Sequence, residues 1–300
     1  MRVGLWLEDE GRTLTQITEL AATAARSGYS SVWLSERGGW DPLTVLAAVG
    51  AAVPEVGLGT SIVRSYPRHP LTLAAQALSA QAVTGGRLLL GVGPGPGPAV
   101  EAQYGYSYEA PVRHLREYLS ALRPLLRGEP VAYRGEQLTA AGQVAVAGAA
   151  APPVFLSALG PAMLRLTGEL ADGTLTTWAG PRSIGEHIVP VLTDAAKAAG
   201  RAVPVVIAGC CVSVTADPDG TRSWVDERYG AAAGLPSYRR QLDRERARTP
   251  ADTVIAGDEE TVARELRRLV DAGAGEVQVI PVGPDADQIR TVEVAARLAR

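Results

Sequence analysis

The sequence predicts an α/β fold, a (β/α)8 TIM barrel with insertions after strands four and seven, and three observations predict it. Short apolar runs alternate with amphipathic stretches along the whole chain, giving eight strand–helix units in 300 residues. The run Leu88-Leu89-Leu90-Gly91-Val92-Gly93 is almost wholly apolar, as strands covered on both faces are. No composition shift, internal repeat or low-complexity segment marks a linker, so residues 1–300 read as one domain.

Taken in order, Arg2 to Leu7 is the first strand, and Thr13 to Ser27 is a helix with Leu14, Ile17, Leu20, Ala21 and Ala24 on one face, ended by Gly28. Ser31 to Ser35 is strand two, and Pro42 opens a helix running to Ala52. The stretch from Val56 to Gly97 organises the rest: strand Leu58 to Val63, a loop through Arg68-His69-Pro70, a helix Leu71 to Val83, then strand four. That helix is read as core-facing through Leu71, Ala74, Ala75 and Leu78. After Gly97 an excursion from Ala99 to Gly148 breaks the alternation, with a helix Val112 to Leu126 and a hairpin from Pro130 to Tyr133 and Leu138 to Val146.

Strands five, Pro153 to Ala158, and six, Gly173 to Trp178, restore the alternation, followed by a helix Ser183 to Ala199 and the long apolar strand seven, Val203 to Val214. Asp217 to Thr249 is polar and arginine-rich, a second excursion of helices. Glu259 to Asp271, Val277 to Pro281 and Asp285 to Leu298 complete the series as helix, strand eight and helix.

Composition narrows the function. Twenty-nine basic and 32 acidic residues leave a formal charge of −3 without a basic stripe, which argues against nucleic acid. Hydrophobic residues make up 46% of the chain, enough for a large core, yet no run reaches the length of a membrane span. The amino terminus opens directly on a strand, and the adjacent Cys210 and Cys211 lie in an apolar run, so a reducing, cytoplasmic setting and packing of both thiols in strand seven are expected. No His, Cys, Asp and Glu set has metal-ligand spacing. Gly91 to Gly97 does not fit the dinucleotide fingerprint, because no helix is read directly after it.

In a parallel barrel the chemistry belongs at the carboxyl ends of the strands. There the chain places Gly59-Thr60-Ser61, Arg68-His69-Pro70, Gly85-Gly86-Arg87 and Leu90-Gly91-Val92-Gly93. In order and spacing these motifs resemble the luciferase-like monooxygenase superfamily, more closely its branch that uses the deazaflavin coenzyme F420. The resemblance implies a cis peptide at Ser61-Ile62 backing the cofactor ring, and close approach of the cofactor at Gly91 and Gly93. It also implies a phosphate site where Ser157, Leu159 and Gly160 lead strand five into a helix whose amino terminus offers free N–H groups. Thr176 and Thr177 would line the same groove. FMN has the same ring shape, and the motifs do not separate the two cofactors.

Two departures bear on the reaction. Where many deazaflavin relatives carry an Asp-His pair, this chain has Glu36-Arg37, and an arginine is no general base at neutral pH. Arg37 either binds an anionic substrate, polarises a carbonyl, or forms a rim salt bridge with Glu36. The turn after strand four holds prolines where alcohol- and sugar-oxidising relatives often carry a carboxylate, and Gly180 lies near the position of a lysine in sugar-phosphate relatives. Both departures lean towards reduction of an enone or imine by the reduced coenzyme, with Glu36 and Arg37 as candidate catalytic residues. The alternatives are an FMN monooxygenase and a flavin-binding protein without catalysis. His69 is read as shaping its loop, Asp258 as a helix N-cap, and the resemblance implies a homodimer through helices near strands two and three.

Overall fold

In a computed structural model that describes residues 1–299, eight parallel strands close into a barrel. The strands are β1 Val3–Trp6, β2 Ser31–Leu34, β3 Gly57–Thr60, β4 Leu88–Gly93, β5 Val154–Ser157, β6 Gly173–Thr177, β7 Val205–Val214 and β8 Glu276–Pro281. Each pairs with its sequence neighbour, and β8 closes on β1 with Val277 beside Val3.

Several connecting helices begin on side-chain caps written in the sequence. Thr13 caps Leu14–Ser27 through a capping box with Gln16, Asp41 caps Pro42–Ala52, and Asp258 caps Glu259–Asp271 by accepting from Thr261 N. His69 caps Pro70–Val83, and its Nε2 also reaches the Thr139 carbonyl at 2.9 Å, which ties the loop to the first insertion. The buried face of this helix is Leu73, Ala74, Ala77 and Leu78; Ala75 faces outward and Leu71 is half-buried, about a quarter-turn from the expected stripe. A helix of small, uncharged residues has almost no polar face, so its sequence does not fix its rotation.

Gly85 and Gly86 take positive φ of 63° and 86°, and Arg87 then donates to four carbonyls, those of Gly50, Val53, Val56 and Thr84. The Gly-Gly-Arg motif therefore locks two helix ends to the amino-terminal side of the barrel.

Inside the barrel, alternation along the strands aims Trp33, Phe155, Leu175 and Ile207 at one another, with Trp33 and Phe155 edge to face at 6.1 Å. Glycines make the room: a Cβ on Gly59 would lie 2.0 Å from the Trp33 ring, and one on Gly173 would lie 2.3 Å from Phe155. Below this plug the buried Glu276 carboxylate accepts from Ser30, Ser31 and Trp33 Nε1 and pairs with Arg2. The helices cover the outer faces of the strands in two large apolar clusters.

The insertions follow β4 and β7. The first contains the helix Pro111–Leu126 and a hairpin of Val131–Arg134 and Thr139–Gly142, whose turn is held by Glu117 accepting three backbone N–H groups. It also contains a helix the sequence reading missed, Gly97–Tyr104, directly after the glycine-rich turn. The prolines read as stiffeners suit a first helical turn, where no N–H is required. The second insertion carries Pro218–Tyr229 and Pro236–Glu245, and a short strand Ile255–Gly257 beside β7. Cys210 and Cys211 are buried and unpaired, and burial pushes the Cys211 thiol up to about 12 and that of Cys210 higher.

Candidate active site

The plug fills the barrel from below, so only the carboxyl ends of the strands and the two insertions are left to form a cleft. There β3 ends at Thr60, the Ser61–Ile62 peptide is cis, and Val63–Arg64 resumes pairing with β4. Beyond the cis bond Ile62 packs onto the Trp33 plug, and a Cβ on Gly93 would lie 3.1 Å from Ile62 and 2.3 Å from Ser157 Oγ. Ile62, Gly93 and Ser157 thus come together from three strands. Ser61 is tied to the same rim: its carbonyl accepts from Ser35 Oγ at 2.6 Å, and Ser35 Oγ accepts from Trp6 Nε1 at 2.9 Å.

Gly91 does not join them. A Cβ there would lie 1.9 Å from the Thr60 carbonyl, and its N–H and carbonyl are both bonded to Thr60 Oγ1. The glycine at 91 permits two strands to approach and faces no cleft. Thr176 is likewise turned away, buried with its hydroxyl towards the Ile207 carbonyl, whereas Thr177 is half-buried at the end of β6.

Gly160 caps the helix Pro161–Leu170 without any side-chain hydrogen bond, and a Cβ on it would meet nothing within 4 Å. The Leu159 carbonyl, just before that helix, faces His187 Nε2 at 3.2 Å. Arg244 stands close enough that, after burial, its charge helps hold His187 below the usual histidine range.

Glu36 and Arg37 point apart. Glu36 accepts from Arg64 N at 2.8 Å and from Arg68 at 2.6 Å, and Arg68 also donates to Asp41 at 2.7 Å. Burial opposes the Arg68 charge, but Glu36 and Asp41 outweigh it and raise its pKa; Asp41 is held low by Thr44 and Arg68 against its own desolvation. Arg37 pairs with Glu8 and Asp9 and lies 4.6 Å over the Trp6 ring, so the rim salt bridge read between Arg37 and Glu36 does not form. Adjacent residues past a strand end face opposite sides, and each finds the acid or base on its own side. Burial works against the Arg37 charge as well, but hydrogen bonds to Asp9 and then Glu8 raise its pKa.

The sequence reading missed the aromatic walls. On one side Tyr66 stacks on His114 at 3.9 Å and 4°, with Tyr106 and Tyr108 beside it. His114 Nε2 meets Ser65 Oγ at 2.9 Å, and burial pushes its pKa down to about 4 against the pull of Glu117. On the other side Trp178 meets Tyr238 edge to face at 4.7 Å, with Tyr229 at 6.3 Å. Glu8, Asp9 and Trp178 stand immediately at or beyond predicted strand ends, and that position alone was signal enough to single them out.

Because His114 titrates lower in the folded chain than the ordinary 6.5, the unfolded chain binds the extra proton first. Stability is expected to fall as pH drops from 6.5 towards 4, and His114→Gln is expected to flatten this part of the curve by up to one proton, measured by urea unfolding at each pH.

Near the end of β6, Glu245 from the second insertion accepts from Gly180 N at 3.0 Å and Ser183 N at 2.7 Å, and a Cβ on Gly180 would lie 2.6 Å from its carboxylate. A carboxylate of the chain itself thus occupies these backbone donors. Among the described residues no group of three His, Cys, Asp or Glu is placed to hold a metal ion, and no helix is long and apolar enough to cross a membrane.

The sequence profile of the luciferase-like monooxygenase family matches residues 1–276. A 5,10-methylenetetrahydromethanopterin reductase of Methanopyrus kandleri is 27% identical over 319 aligned positions, covering 91% of this chain and 91% of the relative. An F420-dependent glucose-6-phosphate dehydrogenase of Nakamurella multipartita is 30% identical over 235 positions, covering 74% of this chain and 69% of the relative. Among solved structures, the coenzyme F420-dependent tetrahydromethanopterin reductase from Methanopyrus kandleri superposes with a TM-score of 0.78 at 25% identity, covering 99% of this chain and 97% of that one. An F420-dependent secondary alcohol dehydrogenase gives a TM-score of 0.84 at 19% identity over 100% of this chain and 99% of the other, a likeness of fold.

Proposed function

The chain belongs to the luciferase-like monooxygenase family, and from that premise we propose that it is an oxidoreductase dependent on the deazaflavin coenzyme F420 that reduces an enone or imine. The observation that carries the coenzyme reading is the single rim on which Ile62, Gly93 and Ser157 gather beside the open helix amino terminus at Gly160. That rim fits a planar ring bearing a phosphate: Ile62, Gly93 and Thr177 would hold the ring, and the N–H groups beyond Gly160, with Arg244 and His187, would hold the phosphate. The reductases and dehydrogenases reported above, named for F420 or for a methylene-pterin reduction, support the same class.

When bound in its reduced form, the coenzyme supplies a hydride to the substrate double bond while a proton from solvent completes the two-electron reduction. The residues of the chain bind, orient and exclude water. Glu36 is a positioning residue, holding the Val63–Arg64 segment through Arg64 N and the loop through Arg68. Arg37 has its charge more than offset by two carboxylates of the chain and polarises a carbonyl only from behind that pair. The absence of a base at position 37 supports reduction over alcohol oxidation.

Fluorescence titration of the apoprotein with F420 and, separately, FMN tests this. Dissociation in the micromolar range or below for F420, with FMN at least tenfold weaker, is expected; the reverse preference, or a protein that oxidises a sugar or alcohol with oxidised coenzyme but reduces no enone or imine, overturns it.

We also propose a homodimer. The helices Pro42–Ala52 and Pro70–Val83 carry no charge, and their outer faces present Thr44, Ala48, Ala51, Thr72, Ala75 and Ser79. Uncharged adjoining faces of small residues suit close contact with a second copy. Light scattering is expected to give twice the chain mass, and Ala75→Arg is expected to move the protein to the monomer.

A further inference from the structure

Resting on the coenzyme reading, we propose that the substrate is an uncharged, planar conjugated carbonyl compound, that Trp178 holds it between the two insertions, and that anionic analogues are excluded by Glu245.

Three independent observations lead there. First, of the chain's 9 tyrosines and 5 tryptophans, Tyr66, Tyr108, Trp178, Tyr229 and Tyr238 gather around the strand ends and insertions. Tyr66 and Tyr108 form one wall, and Trp178, Tyr229 and Tyr238 the other. Burial, with Tyr66 and Tyr238 nearby, pushes the Tyr108 hydroxyl up to about 12. Opposed aromatic faces select planar ligands by stacking, at roughly 0.5–1.5 kcal/mol per ring pair beyond the area buried.

Second, Trp178 is held at φ 54°, in the left-handed region that a bulky residue rarely adopts. This turn aims the indole at the second insertion instead of along β6. Its Nε1 is buried without an oxygen or nitrogen partner and faces the Cys211 thiol, a weak acceptor. A buried donor whose neighbouring acceptor is a weakly accepting thiol, among aromatic faces, is better completed by a carbonyl oxygen.

Third, the arginines here are already taken, each by two carboxylates. Arg37 is held by Glu8 and Asp9, and Arg68 by Glu36 and Asp41. The backbone donors at Gly180 and Ser183, two and five residues after Trp178, are taken by Glu245. A phosphate or carboxylate on the substrate would meet that carboxylate in place of the free N–H groups, so the site repels what it otherwise would bind.

The test uses the full chain with the reduced coenzyme and one cyclic enone, alone and carrying a phosphate ester. The neutral enone is expected to show a KM at least tenfold below that of its phosphate ester. Trp178→Phe, which keeps an aromatic face and removes the donor, is expected to raise the KM of the neutral enone about tenfold with the affinity for F420 unchanged. Quenching of intrinsic fluorescence by the enone without coenzyme reports binding directly, and Tyr238→Leu serves as a second variant whose loss of affinity is read the same way. Glu245→Gln is expected to narrow the gap between the two enones. Equal or better use of the phosphate ester, or unchanged enone affinity in both Trp178→Phe and Tyr238→Leu, overturns the proposal. Failure of the coenzyme titration alone, with enone quenching intact, overturns the coenzyme reading and leaves the enone site supported.

Discussion

Gly59→Ala is expected to destabilise the barrel by about 3 kcal/mol or more, the upper end of overpacking effects. Its Cβ would stand 2.0 Å from Cε3 of Trp33, inside the ring system that plugs the barrel. Trp33 has no exit. Its indole N–H is bonded to Ser31 and Glu276, its edge meets Phe155, and it is fully buried. Any shift moves the plug on which Ile62 rests, so coenzyme affinity is expected to fall together with the melting temperature. Thermal unfolding and coenzyme titration of the same sample check this. A variant as stable as the parent would mean that the barrel interior is looser than its geometry implies.

Glu36→Ala has the second large expected effect. Arg68 and Glu36 are only 14% and 13% exposed, so the pair is neither a surface bridge of negligible worth nor a fully buried one. Removing the carboxylate leaves Arg68 with Asp41 alone and leaves Arg64 N without its acceptor. We expect a loss of about 2 kcal/mol in stability, in keeping with a half-buried charge deprived of one partner. About a tenfold loss in coenzyme affinity is also expected, because Val63–Arg64 follows directly on Ile62. Glu36→Gln keeps an acceptor for Arg64 N, and its losses are expected to be smaller in both measurements. A full-strength effect from Glu36→Gln would instead point to the charge itself acting on a bound molecule.

Much of this was legible before any coordinates. Eight short strand-like runs, each followed by a helical stretch, give the strand count, and eight such units in 300 residues suit a closed parallel barrel. Capping residues are equally local: Thr13, Asp41 and Asp258 each satisfy an N–H three residues on. The positions of Ile62, Gly93 and Ser157 at strand ends followed from the same alternation.

What the sequence could not resolve was which of two adjacent residues meets which partner. Glu36 and Arg37 are neighbours in the chain, yet one turns to Arg68 and the other to Glu8 and Asp9. Gly91 and Gly93 look alike in the chain, yet one lies under the Thr60 carbonyl and the other beside Ile62. The facing of Ala75, the helix after Gly97, the stacking of Tyr66 on His114 and the capture of the Gly180 N–H by Glu245 belong to the same group.

The sequence by itself determined the barrel, its strand order and the rim where chemistry belongs, because these depend on periodicity and on caps that act within a few residues. Only the tertiary structure decided which side chains were left free on that rim, because ion pairs and aromatic contacts join residues tens to hundreds of positions apart, and the spacing along the chain carries no record of them.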